Sequence, residues 1–133
     1  MMKKSAGIII RNKKLLVLRT SGKTTFYAPG GKPDLGESPI EALCRELKEE
    51  IDIDVCKDSV YFFNSYSAPA ADNETVTLDM DVFFVPHYEG KICASREIEE
   101  LAWVDTVDIE EMSISSIFRD SVVPKLKEMK LID

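Results

Sequence analysis

The strongest periodicity in the chain runs from Ser38 to Ile51. At 100° per residue, Ile40, Leu43, Cys44, Leu47 and Ile51 fall within a stripe of roughly 100°, the pattern of a helix that buries one face. Ser38 followed by Pro39, with Glu41 three residues after Ser38, marks a capped helix start. A second helical pattern spans Ser115 to Met129. Ile117, Phe118, Val122, Leu126 and Met129 lie near one face, and Pro124 is expected to kink or restart the helix. Elsewhere the period is two. Val76, Leu78, Met80, Val82 and Phe84 alternate with Thr77, Asp79 and Asp81, the pattern of a strand with one buried face. Ala6 to Ile10 and Leu15 to Arg19 read as a hairpin about Arg11 to Lys14. Val60 to Tyr66 and Leu101 to Val104 read as strands, and Phe26-Tyr27-Ala28 as a short extended piece. Ser21 to Thr25 and Ser67 to Glu74 read as loops, and Pro29-Gly30-Gly31 as a break in regular structure. Strands before, between and after helices predict an α/β or α+β domain.

The length of 133 residues suits a single domain over 1–133 with a core of its own. Hydrophobic residues at 44% and charged residues at 31% are ordinary for a globular protein. No apolar run approaches the ~20 residues of a membrane span, and the N-terminal apolar run is too short for a signal peptide. A cytoplasmic protein without a membrane partner is expected. Cys44, Cys56 and Cys93 are odd in number and form no CxxC pair, so reduced, mostly buried thiols are expected.

Net charge sharpens the picture only through its distribution. Lys and Arg number 17 against 24 Asp and Glu, a balance of −7 that argues against a nucleic-acid polymer as partner. The stretch from Lys3 to Lys23 carries basic residues and no acidic one. Gly30 to Asp54 carries eight acids against three bases, and Glu97 to Glu111 carries seven acids and no base. Within the first acidic stretch, Glu46, Glu49 and Glu50 stand at i, i+3 and i+4 on one helix face. Like charges at that spacing repel, whereas clustered hard oxygen ligands are what Mg²⁺, Mn²⁺ or Ca²⁺ require. The spacing by itself fits a solvated acidic face as well as a metal site.

The surrounding residues read G-x5-E-x7-R-E-L-x-E-E-x-D-I, carried by Gly31, Glu37, Arg45, Glu46, Leu47, Glu49, Glu50, Asp52 and Ile53. This resembles the Nudix box, G-x5-E-x7-R-E-U-x-E-E-x-G-U with U a bulky aliphatic, at eight of nine specified positions and every charged one. Pro29-Gly30-Gly31 and the segment Glu99 to Asp105 also look like Nudix segments flanking the box. Asp52 stands where the family has glycine, just after the helix; Asp tolerates the left-handed conformation, so a small stability cost is expected.

The resemblance implies a Nudix-type α/β/α sandwich, a mixed sheet with the box helix on one side and the C-terminal helix on the other. It implies hydrolysis of a nucleoside diphosphate linked to another moiety, with Mg²⁺ or Mn²⁺ as cofactor. Glu49 and Glu50 become the principal metal ligands, with the Gly30 carbonyl beside them. Glu46 either ligates metal or serves as general base, Arg45 orients the glutamates, and Glu37 binds a second metal or pairs with Arg45. A further acid from outside the box is expected at Glu97, with Glu100 second. For the substrate, Arg19 is a candidate phosphate contact because it ends a strand close in sequence to the Pro29-Gly30-Gly31 loop, Gly31 and Lys32 are candidate substrate-binding residues, and Phe26, Tyr27 and Tyr66 candidate stacking partners for a base. Lys3, Lys4, Lys13 and Lys14 read as surface charges, His87 and Trp103 as structural, and Asp79 and Asp81 as facing water. The lack of additions to the core favours a (deoxy)nucleoside triphosphate pyrophosphohydrolase of the MutT-like kind. The alternatives are an ADP-ribose or nucleotide-sugar pyrophosphatase, for which Pro69 is reminiscent, a dinucleoside polyphosphate hydrolase, and a catalytically silent nucleotide sensor. No feature specifies an oligomer, and a homodimer is left open.

Overall fold

Leu43, Leu47 and Ile51 are fully buried, and the helix that carries them, α1 (Pro39–Ile51), starts as its sequence dictates. Ser38 accepts from the Glu41 N–H while the Glu41 carboxylate accepts from the Ser38 N–H, a complete capping box. Ile40 and Cys44 lie half-buried at the stripe's margins. The computed structural model describes residues 2–70 and 73–133.

Around α1 the described residues form nine strands: β1 (Met2–Ile8), β2 (Ile10–Arg11), β3 (Lys14–Thr20), β4 (Gly30–Gly31), β5 (Asp54–Val55), β6 (Tyr61–Ala70), β7 (Asn73–Phe84), β8 (Tyr88–Glu89) and β9 (Ile98–Val104). They form a four-stranded sheet in the order β4-β1-β7-β6, a three-stranded sheet β2-β3-β9 and the pair β5-β8. The first sheet is mixed: β1 runs parallel to β7 and antiparallel to β4. One apolar cluster packs α1 against Leu16, Leu18, Phe83 and Val85. A second packs Leu15, Val17, Met80 and Val82 against Phe118, Val122 and Leu126 of the C-terminal helical segment. Helices thus cover both faces of the strands, the α/β/α sandwich expected. Each fully buried Leu or Ile contributes about 1.5–3 kcal/mol.

Several local expectations are corrected. The hairpin closes over two residues, Asn12 and Lys13, both at positive φ, and joins only β2 to β3. Ala6 to Ile8 instead belongs to the other sheet, because the chain crosses between sheets at Ile9. Ser67 to Ala70 and Asn73–Glu74 are strand rather than loop, their backbone groups paired across the long β6–β7 ladder; Asp72 lies outside the described residues. Pro69 sits in β6, an edge strand whose outer side needs no partner. Gly30–Gly31 form β4 rather than a plain break. Cys56 and Cys93 are exposed, and only Cys44 is half-buried, because the two former lie in turns flanking β5 and β8.

Past β9, α2 (Thr106–Glu110) is capped by Asp105, and a π-helical turn (Phe118–Val122) leads into α3 (Val123–Glu128). The Val123 N–H donates to Phe118 O, five residues back. Pro124 has no N–H to continue the α-helical ladder, which accounts for the wide turn just before it. Met129 falls after the helix and is exposed, against the apolar role expected for it. Among the described residues no helix is long and apolar enough to cross a membrane.

Candidate active site

The loop before α1 is folded onto the helix by a single guanidinium. Arg45 Nε donates to Glu37 Oε2 at 2.8 Å and Nη2 to Glu37 Oε1 at 3.0 Å, a bidentate pair. Arg45 Nη1 donates to Glu46 Oε1 at 2.9 Å and reaches both Glu49 oxygens at 3.4 Å. Arg45 Nη2 also donates to the Lys32 carbonyl at 3.0 Å. Of the two roles weighed for Glu37, the pair with Arg45 is the one present. The Arg45 partner, and next the Asp34 N–H, hold the Glu37 carboxyl below the usual carboxylate range.

Gly30 and Gly31 owe their identity to two different neighbours. At Gly30, φ is +147° and a Cβ would collide with the Ser5 carbonyl of β1. At Gly31 a Cβ would lie 2.7 Å from both oxygens of the Glu46 carboxylate. The bare backbone at Gly31 is therefore the cradle in which that carboxylate rests. The Gly30 N–H donates to Glu50 Oε1 at 2.8 Å.

Glu50 is 9% exposed, which makes it the most buried acid in the site. Burial pushes its carboxyl up to about 8; the Gly30 N–H pulls the other way and the Glu46 charge adds to the rise. Burial also raises Glu46, against the pull of Arg45. Glu49 is exposed. The helix ends on Asp52 in the left-handed conformation, φ 58° and ψ 39°, with its N–H bonded to Lys48 O. Asp52 takes the backbone conformation for which the family motif uses glycine.

Among the described residues, no three acidic, His or Cys side chains converge into a ready-made metal group. The carboxylates are drawn apart: Arg45 takes Glu46 and Glu49, and Gly30 takes Glu50. The donor set nevertheless fits a divalent cation. It is all oxygen, it includes the buried Glu50 carboxylate, and Gly31 leaves the Glu46 carboxylate its room.

Next to these acids lies a cleft of about 460 Å³ whose lining includes Lys4, Lys23, Lys32, Tyr27, Leu78 and Met80. Two of the lysines were not among the predicted site residues. Lys4 read as a surface charge; its pairing opposite Met80 in the parallel β1–β7 ladder turns it into the cleft, where its charge acts on Glu50. The missed signal was the alternation Met2, Lys4, Ala6, Ile8, which extends the first strand back to Met2. Lys23 sits in the loop after β3. Tyr27 bonds Thr20 through its hydroxyl at 2.6 Å, and its phenol is pushed up chiefly by burial, then by the charges of Glu50, Glu97 and Glu46. Glu97 thus shares the electrostatic neighbourhood of the box acids.

Arg19 and Phe26 do not line the cleft, although Arg19 Nη1 donates to the carbonyl of the lining residue Lys23 at 3.0 Å. Leu16 and Leu18 face α1, so Arg19, the next residue along, leaves β3 on the opposite face. Glu99 and Glu100 bind its guanidinium at 2.9 and 3.0 Å, and it lies over the Phe26 ring at 5.7 Å. Glu100 is thereby committed to an ion pair, and Phe26 packs on the core beside the C-terminal segment. Tyr66 also packs on that core. Asp79 and Asp81 accept from Ser67 and Ser65 across the β6–β7 ladder. His87 is exposed, and Trp103 is half-buried under Arg11.

Comparison with known proteins places this arrangement. A model of the NUDIX domain matches residues 1–125. The Nudix hydrolase YvcI of Bacillus subtilis (strain 168) is 25% identical over 108 residues, which are 81% of this chain and 68% of YvcI. A solved MutT structure described for Aliivibrio salmonicida and Vibrio cholerae shares 25% identity at a TM-score of 0.75, covering 96% of this chain and 98% of that one. The MutT protein of Methanosarcina mazei Go1 has the same fold, with a TM-score of 0.77 at 22% identity over 97% of this chain and 94% of that one. Nudix hydrolases act on small molecules in which a nucleoside diphosphate is linked to another moiety, and in general need a divalent metal. The chain belongs to the Nudix family, as a hydrolase of pyrophosphate bonds.

Proposed function

We propose that the chain is a (deoxy)nucleoside triphosphate pyrophosphohydrolase using Mg²⁺ or Mn²⁺. The observation that carries this reading is the cleft, where Lys4, Lys23 and Lys32 meet an apolar wall that includes Leu78 and Met80. Three ammonium groups complement a polyphosphate, and the apolar wall suits a base. Glu49, Glu50 and Glu46, with the Gly30 carbonyl, would hold the cation. When bound it neutralises the phosphate oxygens and acidifies the attacking water. Arg45 keeps Glu46 and Glu49 in position, and Glu37 fixes Arg45. The attacking water loses its proton to Glu46 or Glu97. Burial raises Glu46 toward the working range of a general base. The lysines orient the chain of phosphates so that the scissile anhydride faces the acids.

The test is a substrate panel with Mg²⁺: canonical and oxidised nucleoside triphosphates, ADP-ribose, nucleotide sugars and dinucleoside polyphosphates. The expected result is the highest kcat/KM on a nucleoside triphosphate. A clear preference for ADP-ribose or a nucleotide sugar replaces this substrate assignment, and no turnover on any member points to a silent nucleotide sensor.

A further inference from the structure

The cleft ends on a hydroxyl that the fold does not use. Ser115 lines the cleft beside Leu78 and Met80. Its Oγ is the one buried side-chain oxygen or nitrogen among the described residues without a hydrogen-bond partner. Ser115 stands where a serine ordinarily caps a helix: its carbonyl accepts from the Arg119 N–H, and the helical run 116–128 follows. The side chain makes no such cap bond. The backbone is held firmly, since the Ser115 N–H donates to Phe26 O and the Phe26 N–H donates to Ser113 O. The residue is thus fixed in place while its hydroxyl is held by nothing. Buried polar groups without partners are rare in folded proteins because leaving them unpaired is costly. A turn about χ1 breaks no side-chain hydrogen bond here, so the hydroxyl is free to reorient.

We propose that Ser115 is a specificity-determining residue whose hydroxyl bonds the polar edge of the substrate's base; this rests on the nucleotide reading above. Lys32 follows Gly31, whose bare backbone faces the Glu46 carboxylate, so the phosphates belong at that side of the cleft, while Lys4 stands beside Met80 where charge meets the apolar wall. Leu78 and Met80 share one apolar cluster with Ile114 and Ile117, which stand one residue before and two residues after Ser115, and all three of Leu78, Met80 and Ser115 line the cleft. A flat base against Leu78 and Met80 presents its polar edge to Ser115. A site that meets a polar edge with a hydroxyl discriminates through the cost of leaving one of them unpaired.

The experiment compares wild type, Ser115→Ala and Ser115→Thr on the ribo- and deoxynucleoside triphosphates of all four bases, with kcat and KM measured separately. Ser115→Ala is expected to narrow the spread of kcat/KM among bases by about tenfold, through KM and with kcat kept. Ser115→Thr, which keeps the hydroxyl, is expected to retain the wild-type preference. An equal loss on every base, or an unchanged preference in Ser115→Ala, overturns the proposal while leaving the triphosphate reading intact. Absence of wild-type turnover on all triphosphates overturns that reading, and this proposal with it.

Discussion

The acidic wall formed by α1 and its preceding loop, and the wall of the cleft beside it, are built in opposite ways. On the acidic wall, almost every contact is local: Arg45 binds Glu37, Glu46 and Glu49 within one loop-helix unit, and Ser38 caps the helix that carries them. The opposite wall is drawn from separate elements, with Lys32 contributed by the loop before α1. Lys4 comes from the first strand, Met80 from β7, Lys23 from a loop and Ser115 from the start of the C-terminal helical segment. The acidic wall is dense in ion pairs, whereas the other wall contains an unpartnered hydroxyl. The division fits the chemistry proposed. Bond cleavage needs fixed acids on one rigid element, while substrate choice is adjusted by single side chains on separate elements. Changes on the acidic wall should therefore act on kcat, and changes on the other on KM.

The largest effect is expected from Glu50→Gln. The amide still accepts from the Gly30 N–H, so the fold is kept, but the charge is lost and kcat should fall about 10³-fold in steady-state assays with Mg²⁺. Gly31→Ala comes next. The added methyl displaces the Glu46 carboxylate, and kcat should drop about 10²-fold with little change in melting temperature, because Gly31 needs no positive φ. On the other wall, Lys32→Ala should raise KM about tenfold and leave kcat within about twofold, since the Lys32 carbonyl still accepts from Arg45. A kcat effect there as large as that of Gly31→Ala would erase the contrast between the walls.

A smaller effect follows from burial at Glu50. Its carboxyl stands at about 8 in the folded chain against an ordinary 4.5, so between those values the folded state holds the extra proton. The contribution of Glu50 to metal-free stability is therefore highest below the lower value and is lost as pH rises through the upper one. A bound cation offsets the charge, so the gain in melting temperature on adding Mg²⁺ should be larger at about pH 8.5 than at about pH 6. An equal gain at both would place the cation away from Glu50. The smallest effect is expected at Asp52, where Gly should stabilise by about 0.5 kcal/mol in chemical denaturation and leave kcat unchanged.

The same contrast explains what was legible in the sequence. The capping box, the apolar stripe of α1 and the spacing of Glu37, Arg45, Glu46, Glu49 and Glu50 are short-range patterns, and spacing alone sets their geometry. The sandwich was legible through the family resemblance, whereas periodicity gave only the strands and helices. The opposite wall depended on long-range pairing. Arg19 was read as a phosphate contact from closeness in sequence, but the alternation along β3 sends it to Glu99 and Glu100. Lys4 was passed over because nothing local announces that Met2–Ile8 runs parallel to β7. Pro69 and the polar run around it suggested a loop, yet an edge strand accommodates both.

In the proposed reaction the acids of α1, with the help of a divalent cation, cut a nucleoside triphosphate between its α- and β-phosphates. Phosphorus NMR of one turned-over nucleoside triphosphate tests it directly, with wild type and Glu50→Gln each followed with Mg²⁺ and with a chelator. The prediction is nucleoside monophosphate and pyrophosphate from wild type with Mg²⁺, and no product from the other three samples. Nucleoside diphosphate with orthophosphate, or undiminished turnover in Glu50→Gln or with the chelator, would contradict it.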